Sequence, residues 1–334
     1  MLGECARLGL AATGVEINPA AVLLARLYEW ANVERGARSE PLVRAAALLG
    51  AQIASEPPIA SGLLSATHLR PQDIAALARS ASADSVRRLI EAALILADPQ
   101  WSEVSVARLM EAQRRLRDFV TGLPYSEAPI RVYQADARQV PLAEGSVDIV
   151  LTSPPYINVF NYHQQYRPAV EALDHDVLDA ARSEIGSNRK HRMNRFLTVI
   201  QYAIDMAAVL DEMKRMLREG GRLIVVVGRE SSVRGARILN GSLLGSVAIT
   251  SNGLRPLMRQ ERSFRNRFGE TIIEDILHFE RCGPAEDIPR SLTVDIARLM
   301  LEQLVPTTSG EVQSDIIAAI EAASSVKASP LLDP

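Results

Sequence analysis

Four short apolar runs lack the strict alternation of a half-exposed sheet: "AATGVEI" (11–17), "PIRVYQAD" (129–136), "VDIVLTS" (147–153) and "GRLIVVVG" (221–228). Such runs predict buried parallel strands covered by helices on both faces. Helical periodicity follows the first run over 20–32 and precedes the last over about 193–217, with Gly220-Gly221 placed as a helix stop. Near the end, "LRPLMRQERSF" and "TIIEDILHFER" flank the turn-like "RNRFGE" and predict an antiparallel pair at one sheet edge. Strands alternating with helices predict an open α/β sheet.

Residues 35–126 break this rhythm. Val106, Leu109, Met110, Leu116, Phe119 and Val120 recur at helical spacing, Ser102 is placed as an N-cap, and Pro57-Pro58 and Pro124 bound the region. The expected organisation is a first core part over 1–34, a helical insertion over 35–127, the rest of the core over 128–282, and a helical tail over 283–334 whose final "ASPLLDP" frays.

Composition narrows the classes. The 334 residues suffice for a full core, and no apolar run approaches the roughly 20 residues that crossing a bilayer requires. "MLGECARLGL" has no signal-peptide layout, which points to the cytoplasm. Two cysteines make neither a disulfide framework nor a thiolate metal cage, and the five histidines lack metal-ligand spacing. A net charge of −3 argues against a protein that coats nucleic acid generally, while leaving room for a local basic groove.

Open α/β sheets bind ligands at the carboxyl ends of their strands, and three polar groups fall there. Glu16, followed by Asn18-Pro19, is either a ribose-diol acceptor or a helix-start acid. Asp136, with Ala137 beside it, either accepts from an adenine amino group or starts a turn. Ser153-Pro154-Pro155-Tyr156 ends the third run. Its Ser153 hydroxyl and Pro154 carbonyl are suited to accept from an amine, the prolines fix their aim, and Tyr156 is suited to stack on a flipped base.

In this order the residues resemble the amino-group DNA methyltransferases, which methylate cytosine N4 or adenine N6 with S-adenosylmethionine. The matches are Ser153-Pro154-Pro155-Tyr156 for the catalytic tetrapeptide, Glu16 in "GVEINP" with Asn18 for the ribose, and Asp136 with Ala137 for the adenine. The resemblance covers 1–32 and 131–281 and implies a Rossmann-like methyltransferase sheet, S-adenosylmethionine as cofactor, no metal, and double-stranded DNA as partner. Ser at position 153 tilts the implied target toward cytosine N4, with adenine N6 as the alternative. "GSNRKHRMNR" (186–195) offers Arg189, Lys190, Arg192 and Arg195 to phosphates, Asn161, Tyr162 and Tyr166 are expected at the base pocket, and Arg262, Arg265 and Arg267 form a second basic group.

The family also carries a first strand ending in a Phe-x-Gly-x-Gly-type loop. Here residues 2–8 match only the end of the helix after it, which implies that the strand and loop lie before Met1 or on a partner fragment. The expected consequence is self-association through unpaired strand edges. Two classes follow: an enzyme whose start is truncated or misassigned, with or without an accompanying restriction nuclease, or a DNA-binding remnant without methyl transfer.

Overall fold

In the computed structural model, residues 1–55, 68–99, 103–157, 166–186, 191–250, 254–283 and 290–332 are described. They form two compact units, one from 1–135 with 162–181 and one from 136–161 with 182–333.

In the first unit, helix α1 (Leu2–Arg7) leads into β1 (Ala12–Glu16) and α2 (Pro19–Ala25). The helix expected over 20–32 is α-helical only to Ala25 and continues as a 3-10 segment, Arg26–Asn32. Helices α3 (Ser39–Ser55), α4 (Pro71–Ser80), α5 (Asp84–Ala97) and α6 (Val106–Gly122) follow, with the short strands β2 (His68–Leu69) and β3 (Val104–Ser105) paired between them. Strand β4 (Ile130–Gln134) then pairs in parallel with β1, Ala12 opposite Ile130 and Glu16 opposite Gln134. Helices α7 (Arg167–Ala172) and α8 (Val177–Ser183) come after it in the chain.

Helix α5 buries Leu89, Ile90, Leu94 and Ile95 at the centre of this unit's apolar core. A helix apolar over most of its circumference must lie inside a bundle. Leu109, Leu116 and Val120 of α6 face that core and Phe119 packs edge-on to Tyr28, whereas Met110 is exposed. Ser102 lies outside the described residues; Ser105 holds the N-cap position. Buried Arg38 closes the other end of α6, donating to the carbonyls of Val120, Leu123 and Pro124. Side chains also cover the outer edge of β4: Asn32 and Glu29 accept from the N–H groups of Ile130 and Val132, both at 2.8 Å.

The second unit is built on a four-stranded sheet in the order β5-β6-β10-β9. Strand β5 (Val147–Thr152) is parallel to β6 (Leu217–Gly228), and β6 is antiparallel to β10 (Thr271–Arg281). Edge strand β9 (Leu254–Arg265) pairs with β10 as the expected hairpin. The chain is thus an α/β protein of Rossmann-like type, with parallel strands, covering helices and an antiparallel edge pair.

Helix α9 (Leu197–Met216) feeds β6. It stops before Gly220-Gly221, and those glycines lie within β6 rather than ending the helix. Val147 faces Leu217 but Ile149 faces Arg222, so β6 bulges there, and Gly220 takes φ +71° at the bulge. Beyond β6, strands β7 (Glu230–Val233) and β8 (Ala236–Leu239) form a hairpin that the periodicity did not reveal. Its Arg234-Gly235 turn has φ 49° and 85°, the twist a two-residue hairpin favours. Helices α10 (Asn240–Thr250), α11 (Arg290–Glu302) and α12 (Gly310–Ala322) complete the unit.

Among the described residues no strand pairs with the outer edge of β5, where Ile149 and Leu151 are 59% and 42% exposed. None of the described helices is long and apolar enough to cross a membrane.

The tail is a correction. Its described part, 328–332, does not fray but docks on α9: Ser329 is buried and bonds Asp205, and Gln201 donates to the Lys327 carbonyl.

Candidate active site

Strand β5 delivers Ser153-Pro154-Pro155-Tyr156 at its carboxyl end, with Ser153 exposed, Pro154 buried, and Pro155 and Tyr156 half-buried. The proline pair fixes two φ angles and donates no N–H, so the strand stops and the segment keeps one shape. The Tyr156 ring then lies on the end of β6. A Cβ at Gly228 would come within 2.9 Å of its Cε2, so only glycine lets the ring seat there. Gly186, at φ +75°, is pressed as closely on the Tyr156 carbonyl, where a Cβ would lie 2.8 Å from the oxygen.

The phenol donates to Glu274 Oε1 at 3.3 Å. Glu274, on β10, accepts from Arg262 on β9 through its other oxygen, with Nε at 2.9 Å. Burial and then the Glu274 charge push the Tyr156 phenol up, against the opposing pull of nearby Ser153 and Gly228. Tyr202, fully buried on α9 and raised by burial and by Tyr156, completes the aromatic floor; its hydroxyl has no partner among the described residues.

Asp136 belongs to a different cluster of the same unit. Arg138, itself buried, grips it with Nε at 2.9 Å and Nη2 at 2.6 Å, and reaches Asp205 at 3.2 Å. The remaining guanidinium bonds go to the carbonyls of Ser329 and Pro330, both at 2.8 Å, and of Ser183 at 3.3 Å. The Leu332 N–H adds a bond to Asp136 Oδ2 at 3.3 Å. Burial opposes ionisation of Asp136, but the Arg138 side-chain and backbone bonds outweigh it and hold the carboxyl below its ordinary value. Ala137 is half-buried in the intervening turn.

Glu16 and Asn18 belong to the other unit. Glu16 closes β1 with Oε1 bonded by the N–H groups of Ile17 and Asn18, both at 2.9 Å, while Oε2 has no partner among the described residues. Asn18 caps α2, accepting from Ala20 at 3.0 Å and Ala21 at 3.4 Å. Arg192 and Arg195 are exposed, and Asn161, Tyr162, Arg189 and Lys190 lie outside the described residues.

Sequence reasoning missed Glu274, Gly228, Gly186 and Arg138. For Glu274 a signal was present: two acids, Glu274-Asp275, inside an otherwise apolar strand require cationic partners, and Arg262, Arg259 and Arg229 supply them.

No family model matches the chain. Over 128 residues, 38% of its length, it is 28% identical to the type II methyltransferase M.MjaII of Methanocaldococcus jannaschii. It spans only 23% of that relative's length. Among solved structures it is similar to a SAM-dependent methyltransferase of Methanosarcina mazei, at 10% identity over 51% of this chain and 77% of that one, with a TM-score of 0.29. A Thermus thermophilus protein described as a DNA modification methylase, complexed with S-adenosyl-L-methionine, is 21% identical over 47% of this chain and 57% of that one, with a TM-score of 0.27.

Proposed function

We propose that the chain acts in a DNA methyltransferase that moves a methyl group from S-adenosylmethionine to an exocyclic amino group, with cytosine N4 as the target. The observation that carries this reading is Ser153-Pro154-Pro155-Tyr156 at the carboxyl end of a parallel strand, with Ser153 exposed and the Tyr156 ring seated on Gly228. The 128-residue likeness to a type II methyltransferase supports it.

An exocyclic amine is a weak nucleophile because its lone pair is delocalised into the ring. Ser153 Oγ and the Pro154 carbonyl accept from its two N–H bonds and draw the nitrogen toward tetrahedral geometry. Because the prolines hold both acceptors in place, little reorganisation is needed during reaction. Tyr156 offers ring surface to a base turned out of the duplex. The cofactor, when bound, supplies an activated methyl group on a cationic sulfur. Glu16 fits its ribose: Oε1 is anchored by two backbone amides, which leaves Oε2 to accept from a hydroxyl. Asp136 Oδ2, which accepts from Arg138 Nη2 at 2.6 Å and from the Leu332 N–H at 3.3 Å, is the acceptor offered to the adenine amino group.

Arg192, Arg195, Arg189 and Lys190 supply phosphate contacts in this reading, and Asn161 and Tyr162 line the base pocket. The β9–β10 turn adds Arg265 and Arg267, the latter stacked on exposed Phe268 at 4.7 Å.

The cofactor half is tested by calorimetry. Glu16→Ala is expected to weaken S-adenosylmethionine binding by roughly 10–100-fold, the equivalent of one charge-assisted hydrogen bond. Equal affinity in the variant would leave Glu16 only its bonds to Ile17 and Asn18.

A further inference from the structure

An ionised carboxylate has two oxygens and about four lone-pair sites, and at Asp136 all of them are taken. Oδ1 accepts from the Arg138 backbone N–H and from Arg138 Nε, both at 2.9 Å. Oδ2 accepts from Arg138 Nη2 at 2.6 Å and from the Leu332 N–H at 3.3 Å. An adenine amino group that bonds Asp136 must therefore displace one of these donors.

The donors differ in what their removal costs. Arg138 is buried, and its guanidinium also bonds Asp205 and the carbonyls of Ser183, Ser329 and Pro330. Turning it away would strand two buried carboxylates without their cation. Leu332 offers Asp136 only a backbone N–H, through the longest of the four bonds. It is half-buried, and Leu331 before it is exposed. Leu332 is the donor that yields.

The tail is also placed to return. Its anchor is Ser329, whose backbone N–H donates to Asp205 Oδ1 at 2.8 Å and whose hydroxyl donates to Oδ2 at 2.5 Å. The Ser329 carbonyl accepts from Arg138 Nη1 at 2.8 Å. Leu332 lies three residues beyond this anchor, so its N–H stays near Asp136 at high effective concentration when the bond opens. A site closed for part of the time binds its ligand with an affinity lowered by the open fraction.

We infer that the C-terminal tail, anchored at Ser329, is a latch whose Leu332 N–H competes with the adenine amino group of S-adenosylmethionine for Asp136 Oδ2, an inference that rests on reading Asp136 as the adenine acceptor.

The test is calorimetric titration of the full chain and two variants with S-adenosylmethionine. Leu332→Pro removes the N–H, whereas Leu332→Ala keeps it and trims the side chain. Leu332→Pro is expected to tighten binding by about 3–10-fold, the scale of one net hydrogen bond, and Leu332→Ala to leave it unchanged. Adenosine and purine riboside, which lacks the 6-amino group, are then used as competitors. In Leu332→Pro, adenosine is expected to gain affinity by the same factor as S-adenosylmethionine, and purine riboside to gain none. Unchanged or weaker S-adenosylmethionine binding by Leu332→Pro would overturn the inference and leave the cofactor reading standing. So would an equal gain in Leu332→Ala, or an equal gain for purine riboside. S-adenosylmethionine that binds neither the unmutated protein nor Leu332→Pro would overturn the cofactor reading and the inference together.

Discussion

Ser153→Ala is expected to lower single-turnover DNA methylation by about 10²–10³-fold, the usual loss when one preorganised polar group is removed from a reacting centre. The substitution deletes the acceptor that draws the amine toward tetrahedral geometry and nothing that the fold uses. Ser153 is exposed at the end of β5. Melting temperature and cofactor affinity are therefore expected to stay near those of the unmutated protein, so the loss falls on the chemical step. An unchanged rate would remove Ser153 from the mechanism and pass its role to the Pro154 carbonyl.

The largest effect on stability is expected at Arg138. Arg138→Met leaves Asp136 and Asp205 buried without the cation that joins them, and removing one partner of a buried ion pair typically costs about 3–5 kcal/mol. It also frees the tail, whose Ser329 and Pro330 carbonyls bond the same guanidinium. The sign of the pH dependence separates this account from simple loss of packing. In the unmutated protein Asp136 is held below its ordinary value, so its contribution is present above the ordinary carboxylate pKa and lost as pH falls through the lowered folded value. In Arg138→Met the burial that Arg138 outweighs acts unopposed and raises the folded pKa. The variant is then expected to gain stability, relative to neutral pH, as pH falls through that raised value toward the ordinary carboxylate pKa. Melting temperatures at a series of pH values check this. Parallel curves for the two proteins would mean that Asp136 is not held by Arg138.

Much of the fold was legible because it follows from local rules. The four apolar runs became β1, β4, β5 and β6, and the expected antiparallel pair became the β9–β10 hairpin. The errors fall where a long-range partner overrides a local signal. Gly220-Gly221 resembles a helix stop, yet α9 ends before it, and the pair serves a bulge set by pairing with β5. "ASPLLDP" has the composition of a fraying end, but Asp205 and Arg138 lie 124 and 191 positions upstream of Ser329, beyond the reach of any local pattern. The β7–β8 hairpin is too short to show periodicity.

At the candidate site the tetrapeptide was visible as a motif, but its wiring was not. Stacking alone makes Phe at position 156 acceptable; the structure adds a bond from the Tyr156 hydroxyl to Glu274, 118 positions away, that Phe lacks. Asp136 and Asn18 were read as cofactor ligands. The structure gives each a structural task as well, one within the Arg138 cluster and one as a helix cap.

The central claim is methyl transfer to an exocyclic amine, and its most direct measurement is mass spectrometry of nucleosides from plasmid DNA. The DNA is incubated with this protein and S-adenosylmethionine bearing an isotopically labelled methyl group, then digested. The account expects label in N4-methylcytosine, reduced by about 10²–10³-fold with Ser153→Ala. Label in N6-methyladenine would keep the chemistry and correct the target. Protein that binds the cofactor yet leaves no label on either amino group would contradict the claim.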